Sequence, residues 1–245
     1  MKELSLEIVE PIIFYTKEHY DQLKMDYSRI SEQLTGVMKL FRSVSSVSDF
    51  PKDGYPDVEN KYTNFPFIPM YVDSVIDQLK FVSNHFSRKP TKHEYSNTGL
   101  IQEDIRFLDA GCGIGWICDL FKKIHQNARV YGLELDENLL KLARILNYDQ
   151  QSQRFLNVNI LDFKNYSDYD VIYYYSPILT TPIEQQFERK VEDDCKVGCV
   201  IIANRKMDDL IKKDSRFKKL HDLYNIYVKV SNKKDKKNVE NTNRN

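Results

Sequence analysis

One glycine-rich stretch, Asp109-Ala110-Gly111-Cys112-Gly113-Ile114-Gly115, constrains the fold of this chain more than any other feature. The apolar pair Phe107-Leu108 precedes it and is typical of the end of a buried strand. Apolar residues at helical spacing follow it, namely Ile117, Leu120, Phe121 and Ile124. A strand, a turn that glycine tolerates best and a helix N-terminus together predict a site where backbone N–H groups point at a polar ligand.

The spacing of the glycines separates two kinds of ligand. The stretch reads G-x-G-x-G, whereas the dinucleotide-binding fingerprint is G-x-G-x-x-G, in which the helix N-terminus takes a pyrophosphate. Asp109 adds negative charge beside the turn, and negative charge suits a ligand with a cationic group better than a pyrophosphate. The alternative is a plain glycine-rich turn that binds nothing.

From Ile105 onward, strand and helix patterns alternate, which is typical of a parallel α/β sheet. The predicted strands span 105–109, 129–135, 155–161, 170–175, 197–203 and 224–230. Asp136 is predicted to cap the helix after the second strand. Thr181-Pro182-Ile183-Glu184 reads as a capping box that opens another helix, and 207–220 is predicted to be helical.

Four regions are expected along the chain: a helical region (1–48), a segment of aromatic and proline-rich loop, helix and connector (49–104), the α/β domain (105–231) and a basic, disordered tail (232–245). One helical stripe in the first region carries Leu23, Tyr27, Ile30, Leu34, Val37 and Phe41. It indicates a helix packed on the body of the protein, or alternatively a homodimer or partner helix. Residues 204–245 carry 13 Lys or Arg and 6 Asp or Glu, a net charge of +7. This fits RNA or an acidic partner, or simply a solvated tail.

Two further acidic residues stand at the carboxyl ends of predicted strands. Glu134 lies 25 residues after Asp109, and neighbouring parallel strands bring both carboxylates to the sheet edge where ligands bind. We expect Glu134 to accept both hydroxyls of a ribose. Asp162 follows the third strand and can accept from an adenine amino group, with Phe163 or Leu135 against the ring. The alternatives are a surface acid for Glu134 and an exposed turn residue for Asp162.

These three strand ends, in this order and spacing, resemble the class I S-adenosylmethionine-dependent methyltransferases over about 105–203. The resemblance implies a Rossmann-like, doubly wound, mostly parallel seven-stranded sheet whose last strand runs antiparallel. It also implies S-adenosyl-L-methionine as cofactor. The expected cofactor-binding residues are Asp109, Gly111, Cys112, Gly113, Glu134, Leu135, Asp162, Phe163 and Tyr175.

The fourth strand ends in Tyr175-Ser176-Pro177, where the methyl group should emerge. In the methyltransferases of base amino groups this position resembles Asn/Asp-Pro-Pro-Tyr, and in those making 5-methylcytosine it is Pro-Cys. Ser176-Pro177 matches neither, so duplex DNA is not the expected acceptor. Tyr175 and Ser176 are the catalytic candidates, because a hydroxyl there can orient a nucleophile or accept a proton. The alternative is that at least two of Tyr173–Tyr175 only fill a buried strand.

Composition limits the remaining possibilities. The four cysteines form no C-x-x-C pair and the five histidines are scattered, so we expect reduced thiols and no metal site. No apolar run approaches the roughly 20 residues that span a membrane, and the start lacks a secretory pattern, so a cytoplasmic location is expected.

The sequence therefore predicts a methyltransferase whose acceptor is a small molecule or a protein side chain. The alternatives are an RNA methyltransferase, a non-catalytic scaffold that binds through the N-terminal helix, a nicotinamide-dinucleotide oxidoreductase, and an aminopropyl transferase with an acidic polyamine pocket.

Overall fold

Seven strands form one mostly parallel sheet at the centre of the computed structural model, which describes residues 18, 21–26, 28–29, 72–91, 100–146, 153–178, 181–204 and 210–233. The strands are β3 (Ile105–Ala110), β4 (Ala128–Glu134), β5 (Gln153–Asn157), β6 (Val171–Tyr175), β7 (Val200–Asn204), β8 (Phe217–Lys219) and β9 (Ile226–Lys229). Their order in the sheet is β5-β4-β3-β6-β7-β9-β8. The last strand, β9, is antiparallel to both of its neighbours, and all other pairs are parallel. The predicted fold class is confirmed.

A short hairpin precedes this sheet. Strands β1 (Ser87–Arg88) and β2 (Ile101–Gln102) pair antiparallel in the region that the sequence assigned to a polar connector. The Gln102 side chain donates to the Ile124 carbonyl at 2.8 Å and accepts from the Gln126 N–H at 2.7 Å. The hairpin is therefore fastened to the loop that leads into β4.

Helices cover both faces of the sheet, as a doubly wound fold requires. They are α1 (Val72–His85), α2 (Trp116–Ile124), α3 (Glu137–Leu146) and α4 (Thr181–Asp194). Helices α1 and α2 bury apolar residues in one cluster with Phe107 and Tyr173. Helix α4 packs Phe187 and Val191 into a second cluster on the opposite face. The predicted cap of α3 is confirmed, since Asp136 Oδ1 accepts from the Asn138 N–H at 2.8 Å.

The described part of the N-terminal region packs on α1. Leu23 is buried in the first apolar cluster, and Lys24 Nζ lies 3.2 Å from Asp77 Oδ1. These contacts agree with the interpretation of a helix packed on the body of the protein. Most of the predicted stripe, the aromatic loop at 50–69 and the tail after residue 233 lie outside the described residues.

His125 ties α1 to the end of α2 and is fully buried. Its Nδ1 lies 3.0 Å from Ser83 Oγ and its Nε2 lies 2.7 Å from the Glu103 carbonyl oxygen. Because a carbonyl oxygen only accepts, Nε2 carries the proton and Nδ1 accepts from the serine. Burial lowers the pKa of His125, so the ring is held neutral.

Lys229 is a second buried polar residue, and it caps the C-terminal end of α4. Its Nζ donates to the carbonyl oxygens of Glu192, Asp193 and Cys195 at 3.0, 2.9 and 2.6 Å. Carbonyls at a helix end have no partner within the helix, and the helix dipole favours a cation there. The side chain therefore fastens β9 to α4.

Two sequence predictions about secondary structure are wrong. The third strand ends at Asn157 rather than Leu161, because Asn159 forms a turn: its Oδ1 accepts from the Leu161 N–H at 2.9 Å. In the described part of the predicted helix at 207–220, the chain forms instead a 3-10 turn at Leu210–Lys213 followed by β8. Arg216 accounts for that break. Its guanidinium donates to Asp214 Oδ2 from Nε at 3.0 Å and from Nη2 at 2.7 Å, and to Asp193 Oδ1 from Nη1 at 2.7 Å.

All four cysteines are buried as free thiols. Among the residues described, no helix is long and apolar enough to cross a membrane.

Candidate functional site

The candidate site lies where the strand order of the sheet reverses. The chain proceeds from β3 outward to β4 and β5, then returns to place β6 on the other side of β3. Ligands of open α/β sheets bind at such switch points, beyond the carboxyl ends of the strands. The glycine turn follows β3, Glu134 ends β4, and Ser176-Pro177 follows β6, so the predicted residues of these three strand ends share one edge.

The glycine turn has the backbone that the sequence predicts. Gly111, Gly113 and Gly115 have φ angles of 89°, 53° and 75°. Gly111 is also confined sterically, because a Cβ there would lie 2.7 Å from the Cβ of Pro177. Pro177, which the sequence analysis named only as part of the Ser176-Pro177 pair, therefore forms one wall of the turn.

The backbone N–H groups of the turn are engaged within the protein. Those of Gly111 and Cys112 both donate to the Leu133 carbonyl at 2.9 Å, and that of Gly115 donates to the Cys112 carbonyl at 2.8 Å. The Gly113 N–H donates to Glu134 Oε2 at 2.9 Å. The expectation that N–H groups of the turn point at a ligand is thus wrong for these four, because their acceptors lie within β4 and the turn itself. A pyrophosphate would find none of these four donors available.

Glu134 organises the neighbouring backbone. Its Oε2 accepts from Gly113, and its Oε1 accepts from the N–H groups of Leu135 and Asp136 at 2.8 and 2.9 Å. A carboxylate offers about four acceptor sites, so one remains, on Oε2. A grip on both ribose hydroxyls would need one of these N–H groups to move away. Burial raises the pKa of Glu134, although the three N–H groups act to lower it.

Asp109 is the buried acid of the site, with 3% of its surface exposed. It lies in register with Gly132 of β4 and Tyr173 of β6. Burial, and secondly the charge of Glu134, hold the pKa of Asp109 well above its usual range. Two carboxyl groups in a buried setting favour a cationic neighbour, because a positive charge stabilises the ionised form.

Cys112 is placed by a glycine of the next strand. A Cβ on Gly132 would lie 2.5 Å from Cys112 Sγ and 2.7 Å from Phe155 Cδ1. The Cys112 side chain therefore packs over Gly132, and its backbone is the part that belongs to the turn. An isolated glycine within a strand pattern marks such a close approach. Gly132, between Tyr131 and Leu133, could therefore have predicted that a neighbouring group packs against this strand.

The residues assigned to adenine recognition lie around the turn that follows β5. Asp162 is exposed there, and its N–H donates to the Asn159 carbonyl at 2.9 Å. Phe163 is half-buried, and its ring centroid lies 5.0 Å from that of Tyr166 in an edge-to-face contact. Leu135 is half-buried at the end of β4. Their roles toward a ligand stay predictions.

The end of β6 presents the two catalytic candidates differently. Tyr173 and Tyr174 fill the buried strand, with 1% and 0% exposure, whereas Tyr175 is half-buried. Ser176 is buried, and its Oγ donates to Glu184 Oε2 at 3.0 Å. The proton of the serine hydroxyl is therefore directed at α4.

A polar contact from α1 also reaches this edge. Asn204, in register with Tyr175, donates from Nδ2 to Gln78 Oε1 at 2.9 Å. Gln78 is buried on α1. Burial and Asp109 raise the pKa of Tyr173, and a hydrogen bond from Asn204 opposes that rise. Sequence reasoning missed Gln78 and Asn204, because the two partners are 126 residues apart.

Comparison with protein families gives one match. The model of a family described as "Methyltransferase domain" matches residues 101–244, more than half of the chain. The chain belongs to this family of methyltransferases. Membership confirms the predicted class I S-adenosylmethionine-dependent methyltransferase, with S-adenosylmethionine as its cofactor.

Comparison with curated proteins found no significant match. Among solved structures, an RNA methyltransferase from Salinibacter ruber with S-adenosyl-L-homocysteine is 17% identical, with a TM-score of 0.44 over 70% of this chain and 100% of that one. PKMT2 from Rickettsia typhi, in complex with AdoHcy, is 17% identical, with a TM-score of 0.37 over 41% of this chain and 20% of that one. DesVI from Streptomyces venezuelae is 19% identical, with a TM-score of 0.37 over 53% and 50%. This chain spans half or less of the last two proteins.

Proposed function

We propose that this enzyme transfers the methyl group of S-adenosylmethionine to a small molecule or a protein side chain that approaches the end of β6. One observation carries the site assignment: the buried Asp109 lies beside a glycine turn in which the N–H groups of Gly111, Cys112, Gly113 and Gly115 already donate to acceptors in β4 or in the turn itself. Such a turn is unsuited to a pyrophosphate and suited to a ligand that carries an ammonium and a sulfonium.

Different residues at this edge of the sheet would bind different parts of the cofactor. Asp109 faces the cationic methionine part, the turn at Gly111–Gly113 shapes its path, and Glu134 receives the ribose through the open acceptor site of Oε2. Asp162, exposed after β5, accepts from the adenine amino group, while Leu135 and Phe163 border the ring. Proximity of these side chains along three adjacent strand ends supports the assignment.

The chemistry requires little from the side chains. The cofactor supplies a methyl group that its sulfonium already activates, and transfer is an in-line displacement. The protein contributes alignment and exclusion of water, which can account for much of a rate enhancement. Tyr175, half-buried at the end of β6, is then a group that can orient the incoming nucleophile.

The acceptor assignment rests on the end of β6 and its surroundings. Ser176-Pro177 differs from the motifs expected for modification of DNA bases, and the half-buried Asn204, in register with Tyr175, is held by Gln78 of α1. A carboxamide pair offers neutral donors and acceptors. It therefore suits a compact polar acceptor better than the phosphate backbone of a duplex.

The first experiment is calorimetric titration with S-adenosylhomocysteine, with NAD as the comparison. We expect a dissociation constant on the order of micromolar for the former and no heat from the latter. Asp109→Asn should weaken binding, because it removes the carboxylate that faces the cation. Binding of NAD alone would replace the proposal by an oxidoreductase, and binding of neither would favour a non-catalytic scaffold.

The acceptor is then sought with S-adenosylmethionine labelled in the methyl group. The enzyme is incubated with separate small-molecule, protein and RNA fractions, and label is counted in each. Label in small molecules or protein supports the proposal. Label confined to RNA would replace it by RNA methylation.

A further inference from the structure

Ser176 has an unusual backbone conformation at the point where β6 ends. Among the described residues it is the only non-glycine residue with positive φ, at 38°. Its Cβ makes this region unfavourable, and such a conformation persists only where the surroundings enforce it. With 2% of its surface exposed, Ser176 is enclosed by residues that can do so.

Glu184 supplies a specific restraint on Ser176. The Ser176 Oγ donates to Glu184 Oε2 at 3.0 Å, and Glu184 is 1% exposed in the first turn of α4. If this hydrogen bond broke, the buried Ser176 hydroxyl would lose its acceptor and could not bond to water instead. Leaving a buried donor unsatisfied in this way costs free energy. The bond therefore resists rotation of Ser176 and fixes the end of β6 to α4.

The restraint reaches the glycine turn through the next residue. Proline has a fixed φ, so the backbone of Ser176 decides where the ring of Pro177 points. That ring lies so close to Gly111 that an added Cβ would be 2.7 Å from Pro177 Cβ. A change at Ser176 would therefore alter the wall of the turn beside Gly111.

We infer that Glu184 is a positioning residue, which acts through Ser176 to hold Pro177 against Gly111 and thereby sets the affinity for the cofactor. The inference rests on the proposed cofactor site. Glu184 belongs to α4 and hydrogen-bonds Ser176 at the end of β6, so we assign its effect to this contact and not to contact with the ligand. This differs from the capping role that the sequence suggests for it.

The test measures affinity for S-adenosylhomocysteine by calorimetry, and stability by thermal unfolding, in four single variants and one double variant. Ser176→Gly keeps a backbone suited to positive φ but removes the hydroxyl, and Glu184→Ala removes the acceptor. Glu184→Gln retains an oxygen that accepts from Ser176. The matched control is Glu188→Ala, which removes a fully buried glutamate one turn further along α4.

We expect Ser176→Gly and Glu184→Ala each to weaken binding about tenfold, the scale of one lost hydrogen bond. Their double variant should be no weaker than either single variant, because both remove the same contact. Glu184→Gln should bind within about threefold of the wild type, and Glu188→Ala should bind as the wild type does even if its melting temperature falls.

Unchanged affinity in Ser176→Gly would overturn the inference, since that variant lacks the proposed contact without added strain. An equal loss in Glu188→Ala would also overturn it, by showing a general effect of α4 packing. Failure of the wild type to bind S-adenosylhomocysteine would instead refute the proposed function, and the inference with it.

Discussion

Gly111→Ala tests the geometry of the glycine turn most directly. The substitution places a methyl group 2.7 Å from Pro177 Cβ, at a residue whose φ is 89°. The left-handed backbone costs an L-residue about 1–2 kcal/mol, and forcing an extra carbon into occupied space costs about 1–3 kcal/mol. We expect a total loss of about 2–5 kcal/mol in the free energy of unfolding.

Gly198→Ala is a control that isolates the steric part. Gly198 also has a φ of 89°, is exposed like Gly111, and has no atom within 4 Å of the position that an alanine Cβ would occupy. It should therefore show only the backbone penalty of about 1–2 kcal/mol. The difference between the two variants, about 1–3 kcal/mol, measures the contact with Pro177.

Urea unfolding gives the stabilities, and titration with S-adenosylhomocysteine gives the affinities. Gly111→Ala should weaken binding and Gly198→Ala should not. Pro177→Gly removes the opposing Cβ, so in the double variant with Gly111→Ala the two effects should couple by about 1–3 kcal/mol. Equal costs for the two alanine variants, or no coupling with Pro177→Gly, would refute the steric argument.

Three further results are expected. Burial lowers the pKa of His125 in the folded protein. Below about pH 6.5 the unfolded chain therefore binds more protons than the folded one, and the free energy of unfolding should fall as the pH is lowered. This pH dependence should be weaker in His125→Gln and unchanged in the control His85→Gln. Lys229→Met should cost about 2–4 kcal/mol in urea unfolding, because three carbonyl oxygens lose their donor, yet leave cofactor affinity unchanged. Since the pKa of Asp109 is raised in the free protein, binding of S-adenosylmethionine, which carries a sulfonium and an ammonium, should release a proton. Its binding enthalpy should then differ between buffers of different ionisation enthalpy, except in Asp109→Asn, and identical enthalpies for the wild type would contradict this.

The fold could be predicted from the sequence because its signals are local. The strand before the glycine turn, the amphipathic spacing of α2 and the Asp136 cap each depend on residues a few positions apart, and the structure has all three. The helix predicted at 207–220 failed for the converse reason. Arg216 contacts Asp193, which is 23 residues away, and no local pattern carries that pairing.

The site was predicted in its residues but not in its internal contacts. Acidic residues at strand ends are visible in the sequence, so Asp109 and Glu134 could be named. The sequence could not predict that four N–H groups of the turn donate to acceptors within the protein, because this depends on how closely two strand ends approach. Gly132 permits that approach, by leaving room for Cys112.

The two helical layers reach the switch point through different contacts, and this has a functional consequence. From one face, Gln78 of α1 binds Asn204 beside Tyr175; from the other, Glu184 of α4 binds Ser176. The first contact borders the proposed acceptor approach and the second borders the cofactor turn. If both proposals hold, substitutions of Gln78 should change the Michaelis constant for the acceptor, whereas substitutions of Glu184 should change affinity for the cofactor, because each layer supports a different reactant at the same edge.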